Sequence, residues 1–179
     1  MKRFLSWSLV VSLVLSITTA VAARQQENET PELPRFSLVD ANVFRGGQPT
    51  KDGMKKLANL GIKTVINLRN DDEKAQAEEI EARALGLRYF NVPLDTFGRP
   101  ADSKVEKVLA LISAAENQPV FVHCHRGSDR TGIVIAAYRI SFNGWTSEQA
   151  TAEAKRYGLG FWQHGMKDYI DDYYKRRKK

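Results

Sequence analysis

Residues 123–132 read His-Cys-His-Arg-Gly-Ser-Asp-Arg-Thr-Gly and contain the only cysteine of the 179-residue chain. Five residues separate Cys124 from Arg130. The apolar run Pro119-Val120-Phe121-Val122 leads in and a helix-like run from Thr131 to Phe142 leads out. A strand, a short Gly-containing loop and a helix N-terminus together make an anion site, because the N–H groups of a first helical turn have no partner inside the helix. Thiols in such a setting ionise more readily, and the thiolate is the nucleophile. An arginine closing the loop grips two phosphate oxygens through its planar fork. The chemistry this pattern suits is phosphoryl transfer to sulfur, with Cys124 attacking and Arg130 and the amides of His125, Arg126, Gly127, Ser128 and Asp129 holding the equatorial oxygens. Thr131 follows the arginine, where its hydroxyl can be directed at the sulfur and steady the thiolate as a leaving group.

A cysteine and an arginine at this spacing are weak evidence alone. Requiring Gly127, Thr131 and Gly132 as well lowers the chance of coincidence to on the order of 10⁻⁵ per cysteine at average composition. The alternative for Cys124 is a small buried hydrophobe, as most free cysteines are; for Thr131 it is a plain helix-terminal threonine.

The elements that must position these residues can be read from periodicity and turn chemistry. Short strands are expected at Phe36–Val39 and Asn42–Arg45, before a Gly-Gly-Gln-Pro turn. Thr50 can cap a helix to Leu60, and Lys63–Leu68 reads as a buried strand. A charged helix follows over Asp72–Leu85, then a strand at Leu87–Val92. Ser103 with Glu106 predicts a capping box and a helix to Ala115; Val120–His123 is the strand feeding the loop. Helices are expected over Arg130–Phe142, after Thr146 (boxed with Gln149), and over Met166–Tyr174. Strands alternating with helices imply an α/β fold, a single central sheet flanked by helices, with the ligand beyond the carboxyl ends of the strands.

Composition bounds the function classes. Residues 1–23 have a basic start (Lys2, Arg3), an apolar run from Phe4 to Ile17 and small residues at 20–23, which is a signal-peptide pattern with cleavage expected near Ala22 or Ala23. The alternative is an uncleaved membrane anchor. Residues 24–35 read as an extended lead-in, 36–174 as one domain and 175–179 as a basic tail. One cysteine excludes an internal disulfide framework, and an unpaired thiol in an exported chain is a liability unless it is used. The net charge of +6 is misleading: without the two basic residues of the leader and the five of the tail, 20 basic residues face 21 acidic ones, a net of −1. A broad basic face for nucleic acid is therefore not expected. The tail reads as a solvated helix end favoured by the macrodipole, with contact to a membrane surface as the less favoured use.

The loop resembles the signature of the cysteine-dependent protein tyrosine phosphatase superfamily: His-Cys, five residues, Arg, then Ser or Thr. Val43-Phe44-Arg45-Gly46-Gly47-Gln48-Pro49, Leu60–Arg69 and the Gly144-Trp145 pair resemble its compact dual-specificity branch, including exported bacterial tyrosine phosphatases. The resemblance spans roughly residues 36–172. It implies a phosphotyrosine-phosphatase-like α/β sandwich and a phosphorylated protein as substrate, tyrosine before serine or threonine. It implies no cofactor and no metal, and it points to the periplasm. It also implies a general acid, an aspartate on a loop some thirty residues before the cysteine. Asp95 and Asp102 are both available. Asp102 is explained by the helix it precedes, so Asp95 is preferred.

His123 is expected to hydrogen-bond beneath the loop and Arg45 to form a structural ion pair; for the rings of Phe161 and Trp162, with His164, core packing is preferred over a place bordering the cleft. His125 and Arg126 make the mouth positive while Asp129 opposes them. Relatives acting on highly phosphorylated inositides tend to carry two lysines and no acid here, so an inositide or inositol phosphate is the alternative substrate. A sulfur-transferase is disfavoured by the loop length. A phosphate-binding module without turnover is the reading from outside the enzymes.

Overall fold

The computed structural model describes residues 30–178. The leader and most of the lead-in lie outside the described residues. Five strands form one sheet: β1 (Ser37–Asp40), β2 (Val43–Gly46), β3 (Thr64–Asn67), β4 (Arg88–Asn91) and β5 (Val120–His123). Their order is β1-β2-β5-β3-β4, with β1 antiparallel to β2 and every other pair parallel. Six helices cover it: α1 (Lys51–Asn59), α2 (Glu73–Ala84), α3 (Asp102–Ser113), α4 (Asp129–Asn143), α5 (Ser147–Arg156) and α6 (His164–Arg177).

Alternation along the central strand sorts the core into two halves. Val120 and Val122 join Ile66 on one face, packed with residues of α3, α4, α5 and α6. Phe121 and Val65 face the other way, against Met54 and Leu57 of α1 and Ala82 of α2. All four residues of β3 and of β5 are buried, as expected of central parallel strands covered on both faces, with the polar Asn67 and His123 at their carboxyl ends. The expected α/β class is observed, and the carboxyl ends of β2, β5, β3 and β4 share one edge. The register sets Gly46 and Asn67 on either side of His123, one residue before Cys124.

Half of the six helix starts follow the cap chemistry. The hydroxyl of Thr50 accepts from Gly53 N, Asp72 accepts from Ala75 N, and Thr146 with Gln149 closes both bonds of its box. The Ser103–Glu106 box does not form. Helix α3 begins one residue earlier, at Asp102, after Ala101, which makes no side-chain cap, and it ends at Ser113 before a short 3₁₀ turn at Ala115–Asn117. The physical reason lies across the fold: Asp102 binds Arg176 at 2.8 Å, and Glu106 accepts from Tyr173 Oη at 3.1 Å. With Glu106 committed to Tyr173, the box lacks its second member. The same contacts redraw the tail. Helix α6 runs through Lys175, Arg176 and Arg177, and the two arginines pair with Asp102 and Glu106 of α3 rather than fraying into solvent.

Candidate active site

The strand β5 ends at His123, and residues 124–128 curl from it into the first turn of α4. Four successive carbonyls of this loop are held from outside. The carbonyl of Cys124 lies 3.3 Å from His123 Nδ1. That of His125 accepts from Gln48 N at 3.1 Å, Arg126 from Arg35 Nη1 at 2.8 Å, and Gly127 from Arg45 Nη2 at 3.0 Å. A peptide whose C=O is tied outward presents the following N–H inward. None of the N–H groups of residues 125–130 donates to a protein acceptor among the described residues. The result is a ring of unpaired donors around the Cys124 sulfur, continuous with the positive end of the 15-residue helix α4.

Glycines let the loop close. Gly127 has φ +73°, and a Cβ there would lie 2.5 Å from Gly46 C and 2.6 Å from Gly47 N. The Gly-Gly-Gln-Pro turn after β2 is thus the floor on which the loop rests. That contact explains why the two sequence matches, far apart in the chain, belong to one site.

The cavity above the loop has a volume of about 310 Å³. Cys124 is at its base, 3 % exposed and packed on the core. His125, Arg126, Ser128, Asp129 and Arg130 line it with Cys124, whereas Asp95, Gly127 and Thr131 are not among its lining residues. Arg130 is half-buried, its Nη1 lying 3.4 Å from the carbonyl of Leu68 at the end of β3. Thr131 is fully buried, and its hydroxyl has no hydrogen-bond partner among the described residues; the expected contact to sulfur is not made. The Asp129 side chain is committed to the scaffold: Oδ1 accepts from Gly160 N at 2.9 Å, and Oδ2 accepts from Arg126 and Ser128. Only its amide remains for an anion.

Asp95 is exposed on the loop after β4, and its neighbour Thr96 lines the cavity. Asp102 opens helix α3 at the other end of that connection, and its carboxylate pairs with Arg176. Three lining residues were not anticipated: Arg69, Asn70 and Asp72. Arg69 follows β3 at the shared strand edge, so the rule placing ligands beyond the carboxyl ends of strands was the signal that could have found it. Its guanidinium donates to Gln48 Oε1 at 2.7 Å and lies 3.7 Å from Asp72.

Two expectations change. Arg45 forms no ion pair within 4.0 Å among the described residues; it is fully buried, bonds the Gly127 carbonyl, and stacks its guanidinium 3.9 Å from the Tyr157 ring centre. Burial pushes its pKa down to about 10, against the pull of Glu153, and it stays charged at neutral pH. Phe161 and Trp162 do not enter the core. They are 79 % and 49 % exposed and meet edge to face, because the turn between α5 and α6 carries them outward.

Beneath the loop lies a buried polar layer. His123 Nε2 is 3.0 Å from Glu78 Oε1, and Asn67 Nδ2 donates to Glu78 Oε2 at 2.7 Å and to Tyr89 Oη at 2.8 Å. Burial raises the Glu78 pKa. The electrostatic pull of His123 opposite, with the hydrogen bond from Tyr89, outweighs it and holds the carboxyl below its ordinary value. Tyr89 is raised, by burial first and by Glu78 second. The expectation that His123 works from below the loop is met.

The comparisons with known proteins can now be set beside this geometry. The family model described as "DSP-PTPase phosphatase fused to NAD+ Kinase" matches residues 17–170. The dual specificity protein phosphatase TpbA of Pseudomonas aeruginosa is 33 % identical over 119 residues, covering 66 % of this chain and 52 % of its own length. The inositol diphosphatase DSP1 of rice (Oryza sativa subsp. japonica) is 29 % identical over 108 residues, 58 % of this chain and 48 % of its own. The chain thus spans about half the length of these curated relatives. Among solved structures, the core catalytic domain of the PP-IP phosphatase SIW14 from S. cerevisiae, in complex with citrate, superposes with a TM-score of 0.70 at 23 % identity, over 77 % of this chain and 84 % of that one. A sheet of this order, a loop of this shape and a family match over most of its length place the chain in the dual-specificity branch of the cysteine-dependent protein tyrosine phosphatases.

Proposed function

We propose that the protein hydrolyses phosphoric monoesters through a cysteinyl-phosphate, acting on phosphotyrosine in proteins and also on phosphoserine and phosphothreonine. One observation carries this reading: carbonyls 124–127 are all tied outward, which turns amides 125–128 inward, and the first-turn amides of Asp129 and Arg130 have no protein acceptor among the described residues. A phosphoryl group in that ring meets fixed donors on its three equatorial oxygens, and Arg130 adds a bidentate grip. Sulfur attacks in line as the P–O bond breaks, and the leaving oxygen takes a proton from Asp95. The carboxylate then accepts a proton from the water that attacks the cysteinyl-phosphate, and the thiolate departs. Thr131 Oγ1, buried beside the loop, is the available donor to that departing sulfur.

A second reading has its own support. Arg69 and Arg126 line the cavity beside Arg130, enough positive charge for a substrate with more than one phosphate, such as an inositol phosphate or inositide. Asp72 and Asp129 line the same cavity and count against it. A phosphate-binding module without turnover is the remaining alternative.

Incubating the purified protein with a phosphotyrosyl peptide, a phosphoseryl peptide and an inositol lipid separates these. Release from the tyrosyl peptide that disappears in Cys124→Ser is expected. Release from the lipid alone reverses the ranking, and binding without release leaves only the module. The leader pattern supports export to the periplasm; intact-mass measurement of the mature chain should find it beginning after Ala22 or Ala23, and an uncleaved N-terminus would favour the anchor instead.

A further inference from the structure

The loop that carries Asp95 is not held by its own sequence. Residues 95–99 are exposed, make no regular structure and include Gly98 at φ +83°. Nothing local explains how such a segment would hold the Asp95 carboxyl in one place beside Thr96, which lines the cavity. Helix α6 and the residue that precedes it supply what the loop lacks, through three contacts. Gln163, only 3 % exposed, donates Nε2–H to the carbonyl of Thr96 at 3.0 Å, a bond between residues 67 apart in the chain. Gly165 lies so close to the loop backbone that a Cβ there would sit 3.0 Å from Gly98 C and 3.1 Å from Arg99 N. Arg99 Nη1 binds Asp172 Oδ2 at 2.7 Å.

Gln163 also connects this clamp to the phosphate loop. It stands three residues after Gly160, whose N–H is bound by Asp129 in the first turn of α4. The turn between α5 and α6 therefore touches both the phosphate cradle and the loop bearing the acid. From these contacts we infer that Gln163 is a positioning residue for Asp95. Its amide fixes the carbonyl one residue after the acid, and so fixes where the carboxyl proton meets the oxygen leaving phosphorus. The inference rests on the reading of Asp95 as general acid. A buried amide spanning the gap restricts the loop far more than the exposed Arg99–Asp172 pair, since surface ion pairs are weak.

The test is a leaving-group comparison with 4-nitrophenyl phosphate, which needs little protonation, and phenyl phosphate, which needs more. Gln163→Met keeps the side chain's bulk and removes the donor. It should lower kcat on phenyl phosphate about tenfold, a fraction of what a general acid supplies, while kcat on 4-nitrophenyl phosphate and KM on both hold within about twofold. Combined with Asp95→Asn it should cost nothing further, because two residues acting as one unit are not additive. Equal losses on both substrates, or a loss that multiplies with that of Asp95→Asn, would overturn the clamp. If Asp95→Asn is itself insensitive to the leaving group, the acid assignment falls and takes the clamp with it; if only Gln163→Met is insensitive, the clamp alone falls. Should Gln163→Met not fold, Arg99→Gln loosens the same loop from its exposed end, with the same pattern expected at smaller amplitude and the same two results refuting it.

Discussion

At the scale of single residues, the site depends on geometry more than on charge. Arg130 lines the cavity with its Nη1 against the carbonyl of Leu68, and its other guanidinium nitrogens make no hydrogen bond among the described residues. Lysine keeps the charge but offers one ammonium in place of two parallel N–H donors. Arg130→Lys should therefore lower kcat by about 10²–10³, the range seen when a fixed donor to a developing oxyanion is lost. Single-turnover kinetics would check it, and a variant within tenfold of wild type would mean that charge alone suffices. Arg45 shows the same lesson from the other side. Its residue type suggested an ion pair, yet its buried guanidinium serves the Gly127 carbonyl and a tyrosine face.

At the scale of elements, the phosphate loop is shaped by what it rests on. Gly46 and Gly47 end β2 where Gly127 turns through positive φ, and the three backbones touch without a Cβ between them. Gly127→Ala forces a left-handed alanine and a carbon into that contact. It should destabilise the fold by about 1–3 kcal/mol, the usual cost of such strain, and reduce turnover, because relief means moving the loop. Urea unfolding and a standard assay would show both; a stable, fully active alanine variant would contradict the packing described. Elements also explain the failed cap. Glu106 and Asp102 had partners waiting on α6, so α3 starts where those contacts place it.

At the scale of the whole molecule, the two halves of the core meet the site differently. One half is apolar and supports Cys124 and α4. Under the opposite side of the loop, Glu78, His123, Asn67 and Tyr89 form a buried polar layer between α2 and the sheet. The Glu78 carboxyl is held below its ordinary value in the folded protein, so the unfolded chain binds its proton more readily. The stability this contributes is fully present above the unfolded value of about 4.5 and is lost as pH falls through the folded one. Denaturation midpoints should thus decline for the wild type from about pH 5 downward. Glu78→Gln should be less stable at neutral pH and decline less steeply on the acid side. Parallel slopes for the two proteins would remove Glu78 from the account.

What the sequence determined by itself was local. The spacing of Cys124 and Arg130, the glycine between them and the flanking apolar runs were enough to name the loop, and period and cap residues placed the five strands and six helices of the described residues to within a few positions. These features act between neighbours in the chain, where stereochemistry and a single hydrogen bond decide the outcome. Tertiary structure decided the rest: that Arg69 comes to line the cavity, that Arg35, Arg45 and Gln48 turn the loop carbonyls outward, that Phe161 and Trp162 stay in solvent, and that Gln163 reaches Thr96. Each of these joins residues brought together only when β2, β3 and β5 align their carboxyl ends and α6 packs back beside them. No spacing in the sequence encodes a partner 67 or 91 residues away.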